Sequence, residues 1–264
     1  MKDSLIAAFC VLLVGCSAPA TKAPEQKTYV ELPPYAFSGN FTTYKSPAEL
    51  LLKVKSLGGP QQEFETDAKF SDRISKLGNS AVLSPVKDYQ LKFDKASGAI
   101  SFSAHVEDAQ AFGYRASDSS WQDFKHRYLA ISLPEDEYVK GSYVGQNAFG
   151  AQATVDVTET DRVYLVAPPI PASLGQPLFV TLKGDLSITA EELKADRDNI
   201  RLAVMFQSIP KYLSLKKSYG TATITNKKEA TINNYFFDVR IAGLSVINIK
   251  TNKVYSQRMR VDFK

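Results

Sequence analysis

From residue 46 the apolar positions first recur with a helical period, and later with a period of two. In "SPAELLLKVKSLGG", Leu50, Val54 and Leu57 share one face. Ser46 is placed as N-cap, Pro47 suits the first helical position and Glu49 completes a capping box; Gly58-Gly59-Pro60 ends the helix. In "EFETDAKFSDRISKLGN", Phe70, Ile74 and Leu77 share a face. Glu63, Glu65 and Asp67 gather at its start and Arg73 and Lys76 near its end, as the helix dipole favours, and Gly78 closes it.

The strands come next. Tyr89, Leu91 and Phe93 alternate with polar residues, and after a turn at Lys95 to Gly98 so do Ile100, Phe102, Ala104 and Val106, which predicts a hairpin with one buried face. Leu129, Ile131 and Leu133 suggest another strand. Ala151, Ala153, Val155 and Val157 alternate up to a turn expected at Glu159 to Asp161, and Val163 and Leu165 resume. Residues 178–183 are a further candidate. "TAEELKADRDN" reads as a short helix with a Thr189/Glu192 capping box, leading into "IRLAVMFQ" with Leu202, Val204 and Phe206 in phase. Phe237, Val239 and Ile241 hold one phase, which slips at Ala242-Gly243 to Leu244 and Val246, the signature of a bulge. After a turn at "KTNK", Tyr255, Met259, Val261 and Phe263 are expected inside, and Ser256, Arg258, Arg260 and Asp262 outside.

Short strands joined by turns, with few helices, predict an α+β chain: mostly antiparallel β, sandwich-like or barrel-like, with two N-terminal helices and one further short helix. One domain over residues 41–264 is the first choice, and a split near 113–120, "GYRASDSS", the alternative.

The first residues change the setting. Lys2 and the free amine form a small positive region, weakened by Asp3, and Leu5 to Val14 an apolar run too short to span a bilayer. The run ends Leu13-Val14-Gly15-Cys16, which resembles the lipobox of bacterial lipoproteins. The resemblance implies cleavage between Gly15 and Cys16, with diacylglycerol and acyl chains on Cys16. Residues 1–15 would then be a signal peptide, and 16–40 a lipidated N-terminus and tether rich in Ala, Pro, Lys and Thr. Ser17 follows the cysteine where an aspartate would signal inner-membrane retention, so the resemblance favours the outer membrane. Two or more acyl chains anchor stably where one holds only marginally. A second resemblance, carried by "QEFETDAKFSDRI", "YVGQNAFGAQATV" and the closing hairpin, is to uncharacterised exported bacterial proteins with an EFET-type helix and a β-rich body. It implies an α+β fold and no known activity.

Composition supports export of a globular body. Cys10 would leave with the leader, so the remaining chain has no cysteine pair for a disulfide or a cysteine metal cluster, and its stability must come from a core. A net charge of +4 is mild and does not point to nucleic acid.

The inventory of chemistry is thin. Two histidines, His105 on a strand's polar face and His126 in "SSWQDFKHRY", lack the companions a zinc site needs. There is no GxSxG elbow, and SxxK occurs at Ser84/Lys87, Ser208/Lys211 and Ser214/Lys217 without its partner motifs. Glu135-Asp136-Glu137 reads as a solvated acidic loop, and "KYLSLKKS" (211–218) as a solvated basic one or a contact for anionic lipid or glycan. "GSYVGQNAFG" has no phosphate-loop spacing. It is nevertheless the best binding candidate, through Tyr143, Asn147 and Phe149, with Trp121 as the chain's one tryptophan. The bland reading of that stretch is a tight turn whose aromatics cap the core, and it is preferred.

These readings lead to a lipid-anchored outer-membrane protein: a non-catalytic binding, scaffold or envelope-maintenance module without metal or cofactor. Its partners would be the membrane through Cys16 and an envelope protein or glycan. The alternative is an envelope hydrolase acting on glycan or peptide through carboxylates that meet only in the fold.

Overall fold

The computed structural model describes residues 29–32, 41–114, 126–134, 136–167, 170–171, 180–223 and 225–263. In chain order these form β1 (Tyr29–Leu32), β2 (Thr42–Tyr44), α1 (Pro47–Ser56), α2 (Asp67–Ser75), β3 (Asn79–Pro85), β4 (Leu91–Phe93), β5 (Ile100–Asp108), β6 (His126–Arg127), β7 (Leu129–Ser132), β8 (Asp136–Gln146) and β9 (Gln152–Val166). Then come β10 (Ile170–Pro171), β11 (Val180–Leu186), α3 (Ala190–Ala195), β12 (Ile200–Gly220), β13 (Lys228–Asn248), β14 (Lys253–Val254) and β15 (Ser256–Phe263). The α+β, β-rich architecture is as the periodicity predicts.

Thirteen strands join in the order β1-β15-β11-β5-β7-β9-β13-β12-β3-β2, with β14, β4 and β8 attached to β13, β5 and β9. The path ends at β1 and β2, so the sheet does not close into a barrel. Pairing is antiparallel except between β13 and β9 and between β2 and β3. Ile100, Phe102 and Leu182 from one stretch of the sheet share a core with Val82, Val204, Val239 and Leu244 from the other. Leu50, Val54, Phe70 and Ile74 of the two helices join the same core. The expected helical faces are therefore the buried ones.

Local signals differ from expectation where tertiary partners compete for a side chain. Ser46 accepts the Glu49 N–H at 3.2 Å, but the Glu49 carboxylate turns to the Lys45 N–H instead of closing the box on Ser46. Thr189 caps the Glu192 N–H at 3.1 Å, while the Glu192 carboxylate bonds Lys253 and Tyr255. α2 starts at Asp67 with Thr66 as N-cap, not at Glu63. The reason is Arg73. Its guanidinium donates to Glu65 through Nε and Nη2, both at 2.6 Å. It also donates to the carbonyls of Leu57, Gly59 and Pro60 at 2.9, 2.5 and 2.9 Å. The segment between the helices is folded around that fork, so Glu65 serves Arg73 rather than a helix turn.

Other expectations are corrected on the strands. Glu159 to Asp161 is not a turn: β9 runs unbroken for 15 residues because β13 pairs with it from Asp156 to Val166. Asp136 and Glu137 belong to β8, not to a loop, and residues 211–218 lie within β12. Ser256 is buried, its Oγ accepting the Val246 N–H at 2.8 Å. Tyr89 is exposed in a 3-10 turn, Asp88–Gln90, ahead of the strand, and Phe93 is exposed at the end of β4, which is three residues long and pairs only with β5 among the described residues. The phase slip at Ala242 is borne out: Met205 pairs with Gly243 and Phe206 with Ile241, leaving Ala242 as the extra residue.

Candidate functional site

β3 accompanies β12 only as far as Gln207; from Leu213 to Gly220, β12 pairs with β13 alone among the described residues. With β9 on the other side of β13 and β8 beyond it, this makes a four-stranded arm, β12-β13-β9-β8. Alternation along β9 sets its two faces. Val163 and Leu165 lie in the main core, so Glu159, Val157 and Val155 continue that face outward. β8 carries an extra residue at Lys140, between the pairs Val139–Thr158 and Gly141–Val157. That bulge brings Tyr138, opposite Glu159, and Tyr143, opposite Val155, onto one face despite their odd spacing. Tyr219 of β12 is opposite Thr231, itself opposite Glu159, and shares that face. Of the eleven large apolar side chains exposed among the described residues, six lie on the arm: Tyr138, Val139, Tyr143, Val144, Phe149 and Tyr219.

The arm ends in a tight hairpin. The Asn147 N–H donates to the Ala151 carbonyl and the Gly150 N–H to the Asn147 carbonyl, each at 3.0 Å. Gly150 takes φ of +83°, a left-handed conformation that glycine adopts without strain. The Asn147 Oδ1 accepts the N–H groups of Phe149 and Ala151 at 3.0 and 2.9 Å, so this asparagine builds the turn. Phe149 is 94% exposed at the tip. The preferred reading of these aromatics as a cap on the core is thereby overturned, because the whole hairpin projects past the body. Phe149→Ala is expected to change unfolding free energy by no more than about 0.5 kcal/mol, the range of surface substitutions. A loss above about 1 kcal/mol in urea denaturation would show that Phe149 packs.

At the root of the arm, on the same face, two carboxylates meet. Asn233 Nδ2 donates to Glu159 Oε1 at 2.6 Å and to Asp161 Oδ1 at 2.8 Å. Each acid has a lysine: Lys140 pairs with Glu159, and Lys55 of α1 with Asp161 at 3.0 Å. The Lys140 ammonium holds the Glu159 carboxyl below the usual range, with the Asn233 and Tyr138 hydrogen bonds adding to it against burial. Burial works against charge on Lys55, and Asp161, with Tyr235 and Tyr138 beside it, more than offsets this, so the Lys55 pKa lies above its ordinary value. Lys55 also sits 5.6 Å from the Tyr235 ring centroid. The cluster is thus charge-paired, and Glu159 is an ionised group rather than a proton donor.

The opposite face of the root is aromatic. Tyr164 stacks on Phe236 at 5.0 Å and on Phe112 at 5.3 Å, with Tyr114 against Phe236 at 5.5 Å. Asp238 is buried beside them and accepts the Tyr114 hydroxyl at 2.7 Å. Burial raises its carboxyl to about 6 despite that bond.

Of the residues singled out in the sequence, Tyr143 and Asn147 come together beside one groove, while Phe149 stands apart at the tip. Cys16, Gly15 and Trp121 lie outside the described residues. His105 is exposed on β5 opposite Thr181, and His126 lies in β6 opposite Pro171. The Glu159–Asp161–Asn233 cluster and Tyr138 and Tyr219 escape sequence reasoning. The spacing of Glu159 and Asp161 by two on a strand was the available signal, obscured by reading a turn there. Set against protein-family models, curated proteins and solved structures, the chain matches none.

Proposed function

We propose that this protein is a lipid-anchored envelope module of the outer membrane, attached through Cys16, that works by binding rather than by catalysis. The observation that carries the binding half is the arm. Tyr138, Tyr143 and Tyr219 on one face of the projecting arm, Val139 and Val144 on the other and Phe149 at its tip concentrate exposed apolar area on one element, as interaction sites do. The anchoring half rests on the lipobox sequence and the Ala- and Pro-rich stretch behind it, which is shorter than the 16–40 expected of a tether because Tyr29–Leu32 pair with β15 as β1. The alternative, a hydrolase with paired carboxylates, would draw on Glu159 and Asp161. Their lysine partners and the ionised state of Glu159 favour a structural role for that pair.

Two measurements test the halves separately. Cys16→Ser is expected to abolish labelling by radioactive fatty acid in cells and to leave an unprocessed precursor. Labelling at the wild-type level would refute the anchor. A photo-crosslinking amino acid at position 144 of the arm is expected to capture an envelope component that the same probe at Lys250, far from the arm, does not. Equal capture from both positions, or none from position 144, would refute the arm as the binding surface.

A further inference from the structure

At the end of the arm, between the β8–β9 hairpin and the β12–β13 turn, lies a groove of about 510 Å³. Its walls carry Tyr143, Gln146, Asn147, Gln152, Thr223 and Lys227, over a low floor of Gly145, Ala153 and Val155. The volume is in the range of small-ligand sites. Among the described residues that line it, Tyr143 offers an aromatic face, and Asn147, Thr223 and Lys227 an amide, a hydroxyl and an ammonium, with no carboxylate; Gln146 and Gln152, paired with each other, belong to the other face of the hairpin and border the groove at its edge.

Several details shape this groove. The Tyr143 hydroxyl donates to Glu229 Oε2 at 3.0 Å, which orients the ring. The Asn147 Oδ1 is committed to the turn, which leaves its Nδ2 without a partner among the described residues. A Cβ at Gly145 would stand 3.1 Å from Val155 Cγ2 and 3.5 Å from Tyr143 Cε2, so glycine keeps the floor clear beside the ring. From Gly141 to Val155 the chain carries no charge at all.

Such a lining discriminates between ligand classes. A phosphate or carboxylate ligand would find a single cation, Lys227. A purely apolar ligand would strand the Asn147 amide and the Thr223 hydroxyl without partners. A neutral sugar satisfies both parts. The C–H face of a pyranose is attracted to the negative face of an aromatic ring. Its hydroxyls both donate and accept, as amide side chains do. Tyr138 and Tyr219 on the same side of the arm offer further aromatic platforms along which a chain of sugars could continue.

We propose that this groove binds a neutral saccharide, one pyranose stacked on Tyr143 and hydrogen-bonded by the Asn147 amide and the Thr223 hydroxyl. This rests on the reading of the arm as the binding element and names its ligand class. Envelope glycans supply such units either as N-acetylhexosamine chains or as plain hexose chains, and two probes separate them.

The test is saturation-transfer NMR followed by titration, using the full chain extracted in a detergent without a sugar headgroup. The probes are triacetylchitotriose and maltotriose. One of the two is expected to receive saturation. Tyr143→Ala should weaken it by at least about tenfold, and Tyr143→Phe, which keeps the ring, should stay within about threefold of wild type. Gly145→Ala is the second variant; its methyl fills the floor against the Tyr143 ring while leaving the ring itself in place, and it should also weaken binding. Absence of saturation transfer to either sugar at millimolar concentration overturns the proposal, as does unchanged binding in both Tyr143→Ala and Gly145→Ala. Capture of an envelope protein from position 144 with no sugar binding would sink this inference and leave the arm reading standing. Sugar binding with unlabelled Cys16 would do the reverse for the anchor.

Discussion

Replacing Arg73 by leucine lowers the unfolding free energy by about 2–4 kcal/mol, the largest loss expected from any single charged residue described here. The guanidinium spends its donors on one carboxylate and three backbone carbonyls. Those carbonyls, of Leu57, Gly59 and Pro60, belong to the connection between α1 and α2, and Gly59 is buried. In the variant Leu57 and Gly59 lose this donor, while Pro60 keeps Gln62 Nε2 at 3.0 Å, and a buried acceptor left without one costs about 1–3 kcal/mol. Glu65, whose carboxyl the guanidinium holds below its ordinary range, loses its cation and keeps the Gln62 N–H. Arg73→Lys is no remedy, because an ammonium cannot reproduce the planar fork that reaches both helices' ends. The Arg73 ring contact, 4.8 Å from the Phe70 centroid, is lost too. Urea denaturation of both variants checks this; a loss under about 0.5 kcal/mol in Arg73→Leu would mean the connection holds without its clamp.

Asp238→Asn stabilises the protein at neutral pH and flattens its pH dependence in the acid range. Burial raises the Asp238 carboxyl to about 6 in the folded chain, against about 3.9 when unfolded. Between those values the folded state binds a proton that the unfolded state does not. The stability contributed by this proton is full below about pH 4 and is lost as pH rises through about 6. Above that, burying the charged form costs on the order of 2–3 kcal/mol. Asparagine removes the charge and keeps an oxygen for the Tyr114 hydroxyl, which donates to Asp238 at 2.7 Å. Its new N–H groups need acceptors, so the net gain at pH 7.5 is about 1–2 kcal/mol. Thermal or urea midpoints measured from pH 4 to pH 8 decide the matter. Parallel curves for wild type and variant would show that Asp238 does not titrate in that interval.

These two residues differ in how far sequence could reach them. Arg73 was placed near the end of α2, where a helix dipole favours a cation, and its position was right. Its work as a clamp depends on the connection from Leu57 to Glu65 coming back across it, which no spacing encodes. Asp238 stands in an alternating run as an apparently outward polar residue. It is buried because β13 has packing on both faces there: Phe237 joins the main core and Phe236 the aromatic cluster. A period of two says which residues share a face. It does not say that the second face is also covered.

The arm teaches the same lesson in the opposite direction. The sequence marks Tyr143, Asn147 and Phe149 as the chemistry-bearing members of their stretch, with a tight turn as its bland reading. Whether their rings met the core or solvent depended on how far β8 and β9 extend past the body. Reading a turn at Glu159 to Asp161 shortened that hairpin and hid its projection. The parallel pairing with β13, contributed by residues some seventy positions later, is what keeps β9 extended there.

By itself the sequence determined the features whose physics is local. Ser46, Thr189 and the phase slip at Ala242 act on backbone groups within a few residues of themselves, and the helical faces of Leu50 and Val54 or Phe70 and Ile74 follow from 3.6 residues per turn. Tertiary structure alone decided the rest. It chose which acids Lys55 and Lys140 neutralise, gave Asn233 two carboxylates to bridge, and set Tyr143 beside a groove instead of a core. All of these depend on which strand lies next to which, and a strand's own pattern leaves that choice to pairing across the sheet.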